Sequence, residues 1–174
     1  MEKREGTIVA VCRSIKPGLP KYAKDYVLIN PYGISSDYHC NPLRIDFKNP
    51  TGPKIPNTDR HILVFAEEAL QEVNAELGLN LEAGDLGENI LVCGFGNLSD
   101  ITPGAIIKIR EGNVVFRVSK QNKPCINTAP IHPLFNATIY SEKRKLYRRG
   151  LLCSVEKGDG WIIRPNDPIE IYTS

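Results

Sequence analysis

The sequence lacks the features that mark membrane, secreted and nucleic-acid-binding proteins. No apolar run approaches the roughly 18 residues that a membrane-spanning helix needs. The charged opening, MEKRE, leads into no apolar segment of the kind found in signal peptides. The 22 basic and 20 acidic residues almost balance, so charge gives no indication of nucleic-acid binding. We therefore expect a cytoplasmic protein that binds neither membrane nor nucleic acid.

Common ligand motifs are missing as well. The five cysteines form no CxxC pair, so a structural zinc site is not expected, and in the cytoplasm the thiols should be reduced. The segment GDLGENI at residues 84–90 has two glycines three positions apart. It has neither the GxGxxG spacing nor the Lys-Ser/Thr ending of a phosphate loop, and it predicts a tight, specific backbone turn instead.

What the sequence does contain is a series of short β-branched, apolar runs separated by turn signals. With 174 residues and 41% hydrophobic content, the chain suits a single domain spanning residues 1–174. Runs at roughly 8–12-residue spacing predict a mostly β fold, a closed or partly closed β barrel with a few helices. The predicted strands are 6–12, 25–29, 60–65, 90–93, 114–118, 151–156, 161–164 and 169–172, and residues 101–110 are predicted as a Pro-Gly turn that enters a further strand.

One helix is predicted with a clear amphipathic pattern, over residues 66–77, and Gly78 is expected to end it. Residues 13–24 and 41–58 are interrupted by prolines and glycines, which predicts loops. A loop as long as 41–58 in a compact domain is often a lid or a binding loop.

Cys125 is the candidate working residue. Pro124 fixes the backbone just before it, and Lys120 and Lys123 lie within five residues of the thiol. Positive charge near a thiol favours the thiolate, which binds soft metals and attacks electrophiles. The alternative is that Cys125 is an inert, buried, small hydrophobic residue.

Histidines offer a weaker hypothesis. His39 lies beside Asp37, and a carboxylate can orient an imidazole, but a solvated loop histidine explains the pattern equally well. His61 and His132 are also available to a Cys–His nucleophilic site, yet no spacing supports that pairing, so we discount a hydrolase.

Several segments together resemble a known family. The segment GDLGENI at 84–90, Leu98, Gly104, the Pro-Cys pair at 124–125, RRGL at 148–151, Gly158 and the Asp-Pro pair at 167–168 occur in one order. This arrangement resembles the MOSC domain, named for the C-terminal domain of molybdenum cofactor sulfurase. The resemblance covers nearly the whole chain and implies a mostly β, barrel-like fold.

The resemblance implies a role for Cys125, as catalytic residue and as metal ligand. In the sulfurase, the matching cysteine is thought to carry sulfur as a persulfide. In the related amidoxime-reducing proteins, it ligates molybdenum of a pterin cofactor. A thiolate suits both roles, because it is a soft ligand for a thiophilic metal and can hold a terminal sulfur.

The resemblance also implies a set of cofactor-binding residues. The two arginines of RRGL match a family signature, and arginine is well suited to bind the cofactor phosphate. Asp37, His39 and Arg60 match a family pattern of Gly-Asp-x-His followed by Arg, except that Ser36 replaces the glycine. The full set is Arg148, Arg149, Asn127, Lys123, Asn89, Arg60, His39 and Asp37.

Three functions follow. The first is molybdenum-cofactor binding that supports reduction of N-hydroxylated substrates, with an external electron-donor protein. The second is a sulfur carrier that holds a persulfide on Cys125, loaded by a separate desulfurase, because the chain is too short to include a pyridoxal-phosphate domain. The third is a non-catalytic anion-binding module. An enzyme of this type is either a molybdenum-dependent oxidoreductase or a sulfur transferase.

Overall fold

The structure, a computed structural model, describes residues 2–173 and is mostly β. The strands and helices, in chain order, are β1 Glu2–Arg13, β2 Tyr22–Lys24, β3 Val27–Asn30, β4 Gly33–Ile34, β5 Leu43–Arg44, β6 Ile55–Pro56, β7 Ile62–Ala66, α1 Glu67–Leu77, β8 Ile90–Cys93, β9 Ile106–Ile109, β10 Val114–Gln121, α2 Phe135–Ile139, β11 Tyr140–Ser141, β12 Leu146–Tyr147, β13 Leu151–Lys157, β14 Ile162–Ile163 and β15 Pro168–Thr173.

Seven of these strands close into a barrel, in the order β15-β9-β10-β13-β7-β8-β1, with β15 pairing back onto β1. The neighbours pair antiparallel except β7 and β8, which run parallel and are joined through α1. A parallel pair needs such a crossover, whereas antiparallel strands can be joined by a short turn, as β9 and β10 are. The predicted barrel is therefore confirmed, and it is closed.

The barrel interior is filled by side chains that alternate along the strands. In β10, Val114, Phe116 and Val118 are buried, while the residues between them are not. This period of two is the pattern of a strand with one face on the core. Phe65 of β7 and Phe135 of α2 are fully buried in the same core.

The predicted helix is confirmed as α1. It packs Ala69, Leu70 and Val73 inward and is followed by Gly78, in the left-handed conformation expected of a helix stop. Within residues 2–173, neither helix is long and apolar enough to cross a membrane.

Several element boundaries differ from the prediction. Residues 13–24 were predicted as loop, but residues 22–24 form β2, whose three residues are all exposed and so carry no alternation of apolar residues. The Pro-Gly turn and following strand predicted over 101–110 are both present, with the strand limited to β9. The long loop 41–58 is irregular as predicted, apart from the two-residue strands β5 and β6.

Candidate functional site

Cys125 lies in the loop between β10 and α2, and its side chain is exposed. The loop follows an irregularity in β10, where the pairing with β13 shifts between Val118 and Lys120. Such a bulge re-aims the side chains that follow it. By contrast, Cys12 and Cys153 are buried, and burial raises the pKa of Cys12 to about 12. The interpretation of Cys125 as a buried hydrophobic residue is therefore wrong, although it fits Cys12 and Cys153.

Thr128 fixes the backbone of Cys125. The backbone N–H of Thr128 donates to the Cys125 carbonyl at 3.1 Å, and the Cys125 N–H donates to the Thr128 hydroxyl at 3.3 Å. The hydroxyl proton is donated either to the Cys125 carbonyl at 2.9 Å or to Asn136 Oδ1 at 2.8 Å. Because Thr128 is fully buried, the turn is anchored to the protein while the thiol stays exposed.

Arg149 is the cation beside the thiol. Its side chain is buried, and its Nη2 donates to the Leu86 carbonyl at 2.8 Å. Its Nε and Nη1 have no hydrogen-bond partner within residues 2–173. Burial lowers the pKa of Arg149, and the neighbouring Cys125 sulfur and Glu88 carboxylate oppose that shift. Arginine stays charged in proteins, so a buried cation with two unpartnered nitrogens lies beside the exposed thiol.

Arg60 adds a second guanidinium near Cys125. It is half-buried, and its Nε has no partner in the described chain. Burial lowers the pKa of Arg60, while Asp59 and Cys125 act in the opposite direction. Its guanidinium carbon lies 4.8 Å from the centre of the Phe47 ring. Phe47 belongs to the long loop 41–58, so this loop reaches the surroundings of the thiol.

Asp59 forms ion pairs with two further cations of this region. It forms an ion pair with Lys120, and Arg44 Nε lies 3.4 Å from its second oxygen. Lys120, which the sequence places near the thiol, is thus held by a carboxylate. With Arg60, three cations lie around this single aspartate, so the charge balance of the group is positive.

The segment 84–90 contacts Arg149 through Leu86 and Glu88. Glu88 is fully buried; its Oε1 accepts the Gly84 N–H at 2.6 Å, and its Oε2 has no partner within residues 2–173. Burial raises the pKa of Glu88, and the Gly84 N–H and Arg149 oppose the shift. This segment therefore supplies both a carbonyl, from Leu86, and a buried carboxylate to Arg149.

Asn89 belongs to the same segment, directly before β8, and its side chain bonds to β7 and β1. Its Oδ1 accepts the backbone N–H of Leu63 in β7 at 3.1 Å, and its Nδ2 donates to the Cys12 carbonyl in β1 at 3.4 Å. Both ends of the Asn89 amide are thus engaged in the barrel.

Asp37 and His39 form a separate cluster with Lys21. Lys21 Nζ lies 3.0 Å from the buried Asp37 carboxylate, which also accepts the backbone N–H groups of Ser14 and His39 at 3.1 Å each. Burial acts to raise the pKa of Asp37, but hydrogen bonds from His39 and Lys21 hold it at about 2. The His39 imidazole is exposed, and its Nδ1 lies 3.5 Å from the Asp37 carboxylate. The predicted proximity of these two groups is therefore observed, and the same carboxylate also binds Lys21.

The two neighbouring arginines of the RRGL segment diverge. Arg148 points to α1, where it bonds to Glu72 at 3.0 Å and to Glu76 at 2.6 and 3.0 Å. It also donates to the Thr138 carbonyl at 2.7 Å, which ties α1 to α2. Both terminal nitrogens of Arg148 are thus engaged by its own protein and its Nε alone has no partner within residues 2–173, whereas Arg149 has two nitrogens without one.

The two remaining predicted residues lie on the surface around Cys125. Lys123 is exposed and pairs with Glu142 at 2.9 Å, and Asn127 is exposed two residues after the thiol. Of the predicted residues outside the Cys125 loop itself, Arg149 and Arg60 lie near Cys125.

The sequence analysis missed three residues of this region. Thr128, at position three after Cys125, was a detectable signal, because a hydroxyl at that spacing commonly closes a turn. Glu88 stood in the conspicuous glycine segment, but its burial has no signature in the sequence. Lys21 lies in a proline-rich loop and gave no signal. Within residues 2–173, no group of three or more His, Cys, Asp or Glu side chains could hold a metal ion.

The chain is similar to known proteins in both sequence and structure. A family model described as "MOSC domain" matches residues 37–170, which is more than half of the chain. A search of curated proteins finds no match.

Among solved structures, the YuaD protein from Bacillus subtilis has a TM-score of 0.82 at 20% identity, with 99% of this chain and 98% of that chain covered. YiiM from Escherichia coli has a TM-score of 0.63 at 18% identity, covering 98% and 70%. YiiM from Geobacillus stearothermophilus has a TM-score of 0.61 at 19% identity, covering 97% and 73%.

These structural likenesses establish a shared fold, and the family match adds the sequence signature on the same barrel. The chain therefore belongs to the MOSC domain family, which is associated with molybdenum-cofactor binding and sulfurase-like function.

Proposed function

We propose that Cys125 is the protein ligand of a molybdenum–pterin cofactor and that the loaded protein supports reduction of N-hydroxylated substrates. One observation carries the proposal: an exposed thiol on an anchored turn lies near a buried guanidinium that has nitrogens without a partner within residues 2–173. A thiolate is the kind of ligand that a thiophilic metal prefers. Membership of the MOSC family supports the same cofactor.

The residues present fit such a group. A buried charged donor without a partner is costly, and an anionic ligand would satisfy it. Arg149 offers Nε and Nη1, and Arg60 offers Nε, both beside Cys125. The phosphate and other anionic parts of the cofactor suit guanidinium groups. We assign these contacts to Arg149 and Arg60, which lie near Cys125, and not to Arg148, whose two terminal nitrogens are held on α1 by Glu72 and Glu76.

Each residue has a defined task in this proposal. When bound, molybdenum supplies two-electron redox chemistry at the exposed end of the site. Cys125 holds the metal from the protein side, on a turn that Thr128 keeps rigid. Arg149 offsets the negative charge of the thiolate and of the cofactor. Because the site is exposed, substrate and an external electron-donor protein both have access.

Metal and pterin analysis tests this function. The protein is purified anaerobically from a host that makes the cofactor, beside Cys125→Ala and the matched control Cys40→Ala, which also removes a partly exposed thiol. We expect near-stoichiometric molybdenum in the wild type and in the control, and none in Cys125→Ala. Full occupancy in Cys125→Ala would refute the ligand assignment.

The exposure of Cys125 also supports a second function, sulfur transfer. A terminal sulfur needs space, and its negative charge would be stabilised by Arg149. In this reaction, the Cys125 thiolate attacks the outer sulfur of a desulfurase persulfide, and the desulfurase cysteine leaves as a thiolate. Anaerobic incubation with a cysteine desulfurase and cysteine should add the mass of one sulfur atom to Cys125. An unchanged intact mass would argue against this role.

A further inference from the structure

A concave site separate from Cys125 lies where the β9–β10 hairpin meets the start of β15. It has a volume of about 330 Å³ and is lined by Arg110, Glu111, Asn113, Trp161, Asp167 and Pro168. The hairpin turn precedes β10, whereas Cys125 follows the end of the same strand. The eight residues of β10 span roughly 20–25 Å of extended chain, so the pocket and the thiol lie beyond opposite ends of this strand.

The hairpin turn of this pocket contains residues that its conformation disfavours. The backbone N–H of Gly112 donates to the Ile109 carbonyl at 3.2 Å, so Arg110 and Glu111 are the two central residues of the turn. Both have a positive φ, of 53° and 59°. A turn with two such residues prefers Asn-Gly, because these residue types adopt the left-handed region most readily. The residues present are therefore not those that stability favours, and strained residues of this kind cluster at ligand-binding sites.

Opposite charges line the pocket without pairing with each other. Arg110 Nη1 donates to the Ile162 carbonyl at 2.9 Å, and Asp167 Oδ2 accepts the Arg164 N–H at 2.8 Å. Within residues 2–173, no ion pair involves Arg110, Glu111 or Asp167. The fold therefore holds one guanidinium and two carboxylates around a single cavity, at distances too long for them to neutralise one another.

The remaining lining residues add a neutral acceptor and two apolar rings. Asn113 Nδ2 donates to the Arg110 carbonyl at 2.9 Å, and its Oδ1 has no partner within residues 2–173. Trp161 is 42% exposed, and its backbone is held by Ile29, whose N–H donates to the Trp161 carbonyl at 2.8 Å. The indole of Trp161 and the ring of Pro168 both line the cavity. The pocket therefore offers a cation, three acceptor groups and an apolar surface to one ligand.

We propose that this pocket binds a free α-amino acid with an apolar side chain. The Arg110 guanidinium pairs with the ligand carboxylate through the nitrogens that do not bond to Ile162. The two acidic side chains and Asn113 Oδ1 accept hydrogen bonds from the ligand ammonium group, and the two apolar rings pack against its side chain. A ligand with a single charge would leave one sign of the pocket unpaired, whereas a zwitterion complements both. The proposal is independent of Cys125 and of its cofactor.

Titration of the ¹⁵N-labelled full chain at low salt tests the ligand class. L-Phenylalanine should shift the amide signals of residues 110–113 and 161–168. It should bind at least about tenfold more tightly than phenethylamine or 3-phenylpropionate, because each of these lacks one of the two charges. Equal binding of phenethylamine would identify a cation site, equal binding of 3-phenylpropionate an anion site, and tighter binding of glucose a sugar site, and each result would overturn the amino-acid class. Absence of shifts in these residues up to about 10 mM phenylalanine would overturn the site.

Matched carboxylate variants test the location. Asp167→Asn keeps an oxygen for the Arg164 N–H but removes a charged partner of the ligand, so phenylalanine binding should weaken by about tenfold. Asp85→Asn is the control, because Asp85 Oδ2 accepts the Glu82 N–H at 2.8 Å across the same three-residue spacing, outside the pocket. It should change binding less than about twofold, and equal weakening by the two variants would overturn the location. Trp161→Leu should weaken phenylalanine binding by about fivefold and leave glycine binding unchanged; unchanged phenylalanine binding would overturn the apolar side-chain class.

Discussion

Replacing Arg148 by methionine should destabilise the fold without emptying the site beside Cys125. The Arg148 side chain is 4% exposed and makes bonds to Glu72, Glu76 and the Thr138 carbonyl. Hydrogen bonds to charged partners contribute about 1.5–3 kcal/mol each, and breaking a fully buried ion pair costs about 3–5 kcal/mol. Here the two glutamate side chains are 42% and 51% exposed, so water takes up their charges after the substitution. Methionine also retains much of the packing of the stem.

We therefore expect a loss of about 2 kcal/mol, nearer the value of one charged hydrogen bond than that of a buried ion pair. Urea unfolding followed by circular dichroism measures it, and the melting temperature should fall by about 4–8 °C for a chain of this size. Molybdenum content, after expression in a cofactor-producing host, should equal that of the wild type.

Arg149→Met is the adjacent control. Two of the Arg149 nitrogens have no partner in the described chain, and burial already disfavours its charge. Its removal releases the desolvation cost of the guanidinium, but it also breaks the bond to Leu86 and leaves the buried Glu88 carboxylate without its neighbouring cation, so we expect a loss of about 1–3 kcal/mol in the free energy of unfolding. Cofactor retention should be lost. If Arg148→Met loses molybdenum at unchanged stability while Arg149→Met retains it, the assignment of the two arginines is reversed.

Three further predictions follow from single contacts. Thr128→Val should reduce cofactor retention, and Thr128→Ser should restore it, because the hydroxyl holds the Cys125 backbone; equal retention in both variants would contradict this. Gly84→Ala should destabilise by about 2 kcal/mol or more, since its Cβ would lie 2.1 Å from the Lys21 carbonyl at a φ of +92°; an unchanged urea midpoint would contradict it. The pKa of Asp37 is about 2 in the folded protein and about 4 in the unfolded chain. The stabilisation of the fold by this carboxylate is therefore complete above pH 4 and is lost as the pH falls through 2. In Asp37→Asn, stability should be lower at neutral pH and should fall less between pH 4 and pH 2 than in the wild type, as measured by chemical denaturation; an unchanged pH slope would contradict the assignment.

The fold was predictable where burial alternates along the chain. Residues 114–118 alternate buried and partly exposed positions, and residues 67–77 repeat apolar positions at helical spacing, so both elements could be identified locally. The strand β2 could not be, because all three of its residues are exposed and only its pairing with β1 defines it. Pairing with a distant segment leaves no local periodicity to detect.

The assignment of Cys125 as the reactive residue stays a prediction from the sequence, whereas the contacts around it could not be predicted. Pro124, nearby lysines and the family resemblance all indicated Cys125, but the two adjacent arginines have the same local sequence signal. Their directions depend on which elements lie on either side, namely α1 for Arg148 and the segment 84–90 for Arg149. The same holds for Lys120, whose charge is taken up by Asp59 from a distant part of the chain.

The glycine segment and the RRGL segment act as one structural unit. Arg149 is positioned beside the thiol by its hydrogen bond to the Leu86 carbonyl and by the neighbouring Glu88 carboxylate. Gly84 lets this segment approach the Lys21 backbone, where the Lys21 N–H donates to the Gly84 carbonyl at 2.9 Å. Gly150 in turn allows β13 to lie against β7, since a Cβ there would be 2.4 Å from the Val64 carbonyl. Substitutions in residues 84–88 should therefore alter the Cys125 site through Arg149, although none of these residues needs to touch a cofactor.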